Sequence, residues 1–274
     1  MPSRRRWLVA VGAVVLLLLA GGAVALVVGL GPTGTHSQAA DPPPPTTADP
    51  TTADPTTADP TTAAPTTTAL PSPTGPPPFD RTQNSIDEAN SIWVVVDKLR
   101  PLNPIDYAPA DLVDVGNGHQ MRAEAAAALH QMFADAAAQG LRLDVDSAYR
   151  SYVYQQNTFA SGVARLGEAQ ALRGIAKPGY SEHQTGLAAD IGGGGCEIDP
   201  CFATTPQGQW VAQNAYRYGF VIRYPDGAEG VTGYRYEPWH VRYVGVALAT
   251  EMRTEGVPTL EQFFALPAAP SYAG

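Results

Sequence analysis

Ser181 to Asp190 reads SEHQTGLAAD, and Tyr236 to His240 reads YEPWH. The first string places His183 and Asp190 seven residues apart across Gly186; the second places Glu237 and His240 three apart. A catalytic zinc takes three protein ligands and keeps a fourth position open for water, and two histidines with one carboxylate suit it. His183, Asp190 and His240 supply such a set, and Glu237 is left beside it. Metal-assisted hydrolysis needs that extra carboxylate, to take a proton from the attacking water and return it to the leaving amine. Pro238 argues against placing Glu237 and His240 on a helix. A bent or bulged strand would let residues three apart converge on one side, which a regular strand forbids. Taken singly, each of these residues is also an ordinary turn or surface group. Of the five histidines, however, His36, His119 and His130 lie in a Pro/Thr-rich stretch, a Gly/Asn turn and an Ala-rich helix, which leaves the two with a carboxylate close in sequence.

Around these strings the chain reads as a folded domain from about Phe79. Trp93 to Val96 is a short apolar β-branched run, expected as a strand. Met121 to Ala138, closed by Gly140, has apolar residues near helical spacing. Leu143 to Ala148 alternates as a strand, and Ser151 offers an N-cap for a helix reaching about Leu166. Tyr180 to Ile191 suits a hairpin or tight strand pair around Gly186. Gln207 to Tyr218 reads as helix, Phe220 to Tyr224 and Tyr234 to Trp239 as strands, and Arg242 to Glu255 as a closing helix. Tyr224 to Thr232, with Pro225, Gly227 and Gly230, reads as a loop near the site that either gates it or joins two strands. Helices mixed with antiparallel-looking strands, without a βαβ rhythm, predict an α+β domain with a small antiparallel sheet flanked by helices.

Before this domain lie three unlike pieces. Residues 1–6 form a basic tail with Arg4, Arg5 and Arg6, and residues 7–30 carry no charge. As a helix, that run would span about 36 Å, long enough to cross a bilayer, with the arginines keeping the N-terminus cytoplasmic. The alternative is cleavage as a secretory signal, for which Thr35 to Ala40 is rich enough in small residues. Residues 31–78 hold 14 of the 26 prolines and the repeat TTADP at 46, 51 and 56, varied to TTAAP at 61. Such a composition cannot bury a core, so it reads as a disordered stalk with a contour approaching about 145 Å. Residues 79–274 carry 14 basic and 22 acidic side chains, a net of −8 out of the whole chain's −9. That balance excludes a basic nucleic-acid footprint.

If residues 79–274 are exported, Cys196 and Cys201 in GCEIDPCF meet an oxidising environment, and a disulfide closing this small loop near Asp190 is the first reading. Two free thiols, or zinc binding by the pair, are the alternatives.

From about Trp93 to Gly245 the sequence resembles the VanY-type D-alanyl-D-alanine carboxypeptidases, zinc D,D-peptidases that trim peptidoglycan stem peptides. Several strings in the same order carry the resemblance: VDKLRPLNPIDYAPADL, SAYRSYVYQQ, KPGYSEHQTGLAADI, YGFVIRYP and TGYRYEPWHVRYVG. It implies Zn2+ held by His183, Asp190 and His240, with Glu237 as catalytic base. Arg150 is then expected to grip the substrate's terminal carboxylate, which a guanidinium at a helix start suits. Gln155 and Ser181 match positions lining the peptide, and Trp239 is a candidate pocket wall; each is equally an ordinary helix-face, turn or packing residue. The activity implied is removal of the C-terminal D-Ala from stem peptides ending in D-Ala-D-Ala. Alternatives are an L,D-carboxypeptidase or D,D-dipeptidase on cell-wall peptides and, less favoured, a non-catalytic peptidoglycan-binding module. The chain is expected to be a monomer anchored through residues 7–30, with its catalytic domain facing the cell wall.

Overall fold

A computed structural model describes residues 78–273. The expected basic tail, membrane helix and nearly all of the stalk lie outside them; among the described residues no helix is long and apolar enough to cross a membrane.

The site rests on a four-stranded antiparallel sheet in the order β3-β4-β6-β5, made of β3 (Asp144–Ser147), β4 (Ala188–Gly192), β5 (Phe220–Tyr224) and β6 (Glu237–Tyr243). Every residue of β4 and β6 is buried, as central strands covered on both faces require. A separate hairpin joins β1 (Leu112–Gly116) to β2 (His119–Arg122). It turns through Asn117, whose φ of 54° suits a left-handed position. Helix α1 (Ala123–Ala137) lays Ala125, Ala126, Leu129, Met132 and Ala136 into the main core beside Leu187, Ile191, Phe202, Phe220 and Val241. Helix α2 (Tyr152–Leu166) starts where expected, with Ser151 Oγ accepting from Tyr154 N at 3.2 Å, and α3 (Glu168–Ala171) follows it. Helices α4 (Pro206–Asn214), α5 (Glu229–Thr232), α6 (Val246–Glu255) and α7 (Leu260–Phe263) complete the α+β domain. A second apolar cluster under α6 and α7 gathers Trp93, Val95, Val244, Leu248 and Phe263.

Five expected elements differ. Trp93 to Val96 is buried but irregular, not a strand. No neighbouring strand is needed because Arg242 donates to the carbonyls of Ile92 and Val94 at 3.0 Å. Tyr180 to Ile191 is no hairpin: Glu182–Thr185 forms a 3-10 turn closed by Gly186 at φ 69°, and only then does β4 begin. A Cβ at Gly186 would press on Arg122, Leu112 and Pro109 at 3.0–3.1 Å, so this crossing takes only glycine. The strand expected at Tyr234 starts at Glu237 and runs through Tyr243, which displaces the start of the closing helix from Arg242 to Val246. Pairing of β6 with both β4 and β5 outweighs the helical pattern there. The segment after Tyr224 contains the helical turn α5, tied to the loop after α3 by the Arg173–Glu229 pair at 2.6 Å.

Candidate metal centre and cleft

Two strands and one turn bring the chemistry together. Asp190 on β4 and His240 on β6 are Cα partners across the central pair of the sheet. His183 arrives from the 3-10 turn that leads into β4. Between Ile222↔Val241 and Tyr224↔Glu237, β6 uses four steps to β5's two, so the sheet is irregular at the Pro238 segment. This is the bulge that residues three apart need in order to share a side.

One donor atom each from His183, Asp190 and His240 lie within 4.8 Å of one another, and all three residues are buried. His183 Nδ1 lies 2.7 Å from the carbonyl of Ala148, so it donates there and leaves the Nε2 lone pair facing the cluster. That Nε2 is buried without a hydrogen-bond partner among the described residues, although Asp190 Oδ2 lies 3.3 Å away. Asp190 Oδ1 is 3.1 Å from His240 Nδ1. An orphaned imidazole nitrogen converging with a second imidazole and a carboxylate is the donor set of a tetrahedral zinc with an open position, so these residues fit zinc.

The electrostatics separate the groups. Burial, assisted by Arg150, pushes His183 down to about 4, so it is neutral and free to ligate. Burial would also lower His240, but its hydrogen bonds to Asp190 and Glu182 outweigh that and raise it to about 9 in the metal-free protein. Asp190 is held well below the usual carboxylate range; burial opposes this, and His183 and His240 overcome it. Glu237, 6% exposed on the cleft wall, is pushed up to about 8 by burial, with Asp190 raising it further and His240 opposing.

That last shift has a stability consequence. In the fold the Glu237 carboxyl keeps its proton to about pH 8; in the unfolded chain it loses it near 4.5. This one group therefore contributes stability that the metal-free protein loses as pH rises between those values, up to about 5 kcal/mol. Glu237→Gln lacks this loss. Its melting temperature in chelator should match wild type near pH 5 and exceed it by several degrees at pH 8.5, as calorimetry would read; equal melting temperatures at both pH values would contradict the buried carboxyl.

These groups line a cleft of about 640 Å³ together with Arg150, Gln155, Ser181, Tyr224, Tyr234 and Trp239. Arg150 Nη2 lies 3.5 Å from Asp190 Oδ2, and its Nε is a buried donor without a partner among the described residues. Gln155 donates to Ala176 O at 2.7 Å, while its Oε1 is likewise unpartnered. Ser181 is buried at the cleft edge. Trp239 is 2% exposed, belongs to the main core and also lines the cleft, so its indole packs while forming part of the wall. Cys196 and Cys201 are disulfide-bonded with Cα atoms 5.8 Å apart, in the segment following β4. The sequence reading missed Tyr224, whose ring lies tilted with its centroid 4.9 Å from that of His240, and Glu182, whose Oε2 faces His240 Nε2 at 3.3 Å.

Residues 118–246 match the family model described as VanY, D-alanyl-D-alanine carboxypeptidase. The putative carboxypeptidase YodJ of Bacillus subtilis (strain 168) is 43% identical over 191 residues, covering 66% of this chain and 69% of that protein. The solved LdcB LD-carboxypeptidase is similar with a TM-score of 0.60 and 42% identity, over 65% of this chain and 87% of that one. A VanY D,D-pentapeptidase from a VanB-type resistance cassette, solved in complex with Zn(II), is similar with a TM-score of 0.55 and 33% identity, over 63% of this chain and 98% of that one.

Proposed function

The chain belongs to the VanY family of D-alanyl-D-alanine carboxypeptidases, and from that premise we propose that it is a zinc-dependent carboxypeptidase that releases the terminal D-Ala of peptidoglycan stem peptides ending in D-Ala-D-Ala. The observation that carries this reading is the buried convergence of His183 Nε2, Asp190 and His240 beside Glu237 and Arg150. His183, Asp190 and His240 would hold the metal, which when bound polarises the scissile carbonyl and makes water acidic enough to be deprotonated near neutral pH. Glu237 takes the proton from the attacking water and hands it to the departing amine. Arg150 donates to the terminal carboxylate, filling its unpartnered Nε and registering the last peptide bond against Glu237. Gln155 Oε1 and Ser181 face the same cleft as acceptor and hydroxyl for substrate amides.

A second reading, L,D-carboxypeptidase action on tetrapeptides, is favoured by the 42% identity to LdcB, against 33% to the VanY pentapeptidase. Both readings release D-Ala and use the same groups. For the chain as a whole we propose a monomer whose residues 7–30 anchor it in the membrane with the N-terminus cytoplasmic, and whose residues 31–78 hold the domain out toward the wall.

The Arg150 assignment is tested on paired substrates. Arg150→Ala should lower kcat/KM by about 10²- to 10³-fold, the loss of a charged, positioning contact. Amidating the substrate's terminal carboxylate should cost wild type a similar factor and the variant little more. Full additivity of the two losses would show that the two groups do not meet.

A further inference from the structure

The mechanism above leaves unused a buried carboxylate in contact with a proposed ligand. Glu182 is 1% exposed, inside a cluster of charges contributed by both ends of the domain. Its Oε1 accepts from Arg223 Nε at 2.8 Å and from Arg242 Nη1 at 2.9 Å. Its Oε2 faces His240 Nε2 at 3.3 Å. Arg223 is in turn gripped by both oxygens of Glu261 on α7, at 2.6 and 2.9 Å. Arg242 spends its remaining donors on the carbonyls of Ile92, Val94 and Tyr243. Glu261 and Ile92 to Val94 lie outside the residues matched by the family model, 118–246.

A neutral imidazole carries one N–H and one lone pair. Two guanidinium groups on Oε1 keep Glu182 ionised, hence an acceptor only, so the His240 nitrogen facing it must carry the proton. The other nitrogen, Nδ1, then turns its lone pair toward Asp190 and His183. We propose that Glu182 is a positioning residue that fixes the Nε2–H tautomer and ring orientation of His240, so that Nδ1 is the metal-binding atom, and that Arg223, Arg242 and Glu261 hold Glu182 in place for that task. This rests on the zinc reading above. Partners of this kind on a ligand's far nitrogen are worth about 10- to 100-fold in metal affinity.

The test reads zinc affinity by competition with a chromophoric chelator, melting temperature, and the imidazole tautomer by 15N NMR of the metal-free protein at a pH above the His240 titration. Wild type should show His240 protonated at Nε2. Glu182→Gln should lower zinc affinity about 10- to 100-fold and mix the two tautomers. Leu248→Ala, a truncation in the second apolar cluster that removes no hydrogen-bond partner of Glu182 or His240, should lower the melting temperature while zinc affinity stays within about twofold of wild type. If Glu182→Gln lowers only the melting temperature, Glu182 is a structural ion-pair residue and the proposal is overturned. If that variant does not fold, the wild-type tautomer still decides: a proton on Nδ1 overturns the assignment. Absence of tight zinc binding by wild type would overturn the metal reading and this inference together, whereas unchanged affinity in the variant removes only the role of Glu182.

Discussion

Glu237→Gln is expected to lower kcat by about 10²- to 10⁴-fold, the usual worth of a positioned general acid and base, while zinc content stays at the wild-type level. The amide preserves shape and can still hydrogen-bond water, but it cannot accept a proton. The side chain is well placed for that experiment, because it stands on the cleft wall outside the three-residue donor set and the sheet irregularity at Pro238 fixes its backbone. Glu237 is 6% exposed, and that burial lifts its carboxyl to about 8 in the metal-free protein. Near-normal turnover in a zinc-loaded Glu237→Gln protein would remove the residue from its role and would leave the buried carboxyl without a function in this account.

Losing a ligand should be more severe. Asp190→Ala, or exhaustive chelation of wild type, is expected to reduce D-Ala release to background and to bring bound zinc to zero, as read by metal analysis alongside product release. Re-adding Zn2+ should restore the chelated wild type and leave the variant inactive. The fold should survive chelation, because the site's geometry has supports of its own: Ala148 O holds His183, the β4-β6 register holds Asp190 against His240, and the main core lies on α1 and the sheet. Far-UV circular dichroism would therefore change little, while the melting temperature should fall because folding stability loses the ligand's linkage contribution, about 4 kcal/mol at free zinc a thousandfold above its Kd. Sustained turnover by protein stripped of metal would contradict the zinc reading.

The residues that form the donor set were legible in the sequence because metal chemistry demands particular side chains, and few histidines were available to supply them. The bulge around Pro238 was legible for a related reason: three-residue spacing on one side of a strand has few solutions. What stayed hidden depended on partners distant in sequence. Trp93 to Val96 has strand composition, but the carbonyls of Val94 and the preceding Ile92 are met by the Arg242 side chain, a contact spanning about 150 positions that no local pattern encodes. Glu182 sits inside SEHQTGLAAD, yet the partners that make its burial possible, Arg223 and Arg242, lie 41 and 60 positions away. A signal was present: FVIRY and WHVRY each place an arginine within an apolar strand, and a buried charge requires a partner. The β1-β2 hairpin likewise carried a signal in Gly116-Asn117-Gly118, a left-handed turn sequence flanked by short alternating runs. Its strands are short, with only Val115 and Met121 buried, so hydrophobic periodicity did not mark them.

The most direct test of the central claim is mass spectrometry of muropeptides before and after treatment with the purified protein, with and without a chelator. The account predicts that pentapeptides lose one alanine in a zinc-dependent reaction. Loss from tetrapeptides alone would replace D,D- by L,D-specificity within the same mechanism, and release of no alanine from either by the zinc-loaded protein would contradict the account.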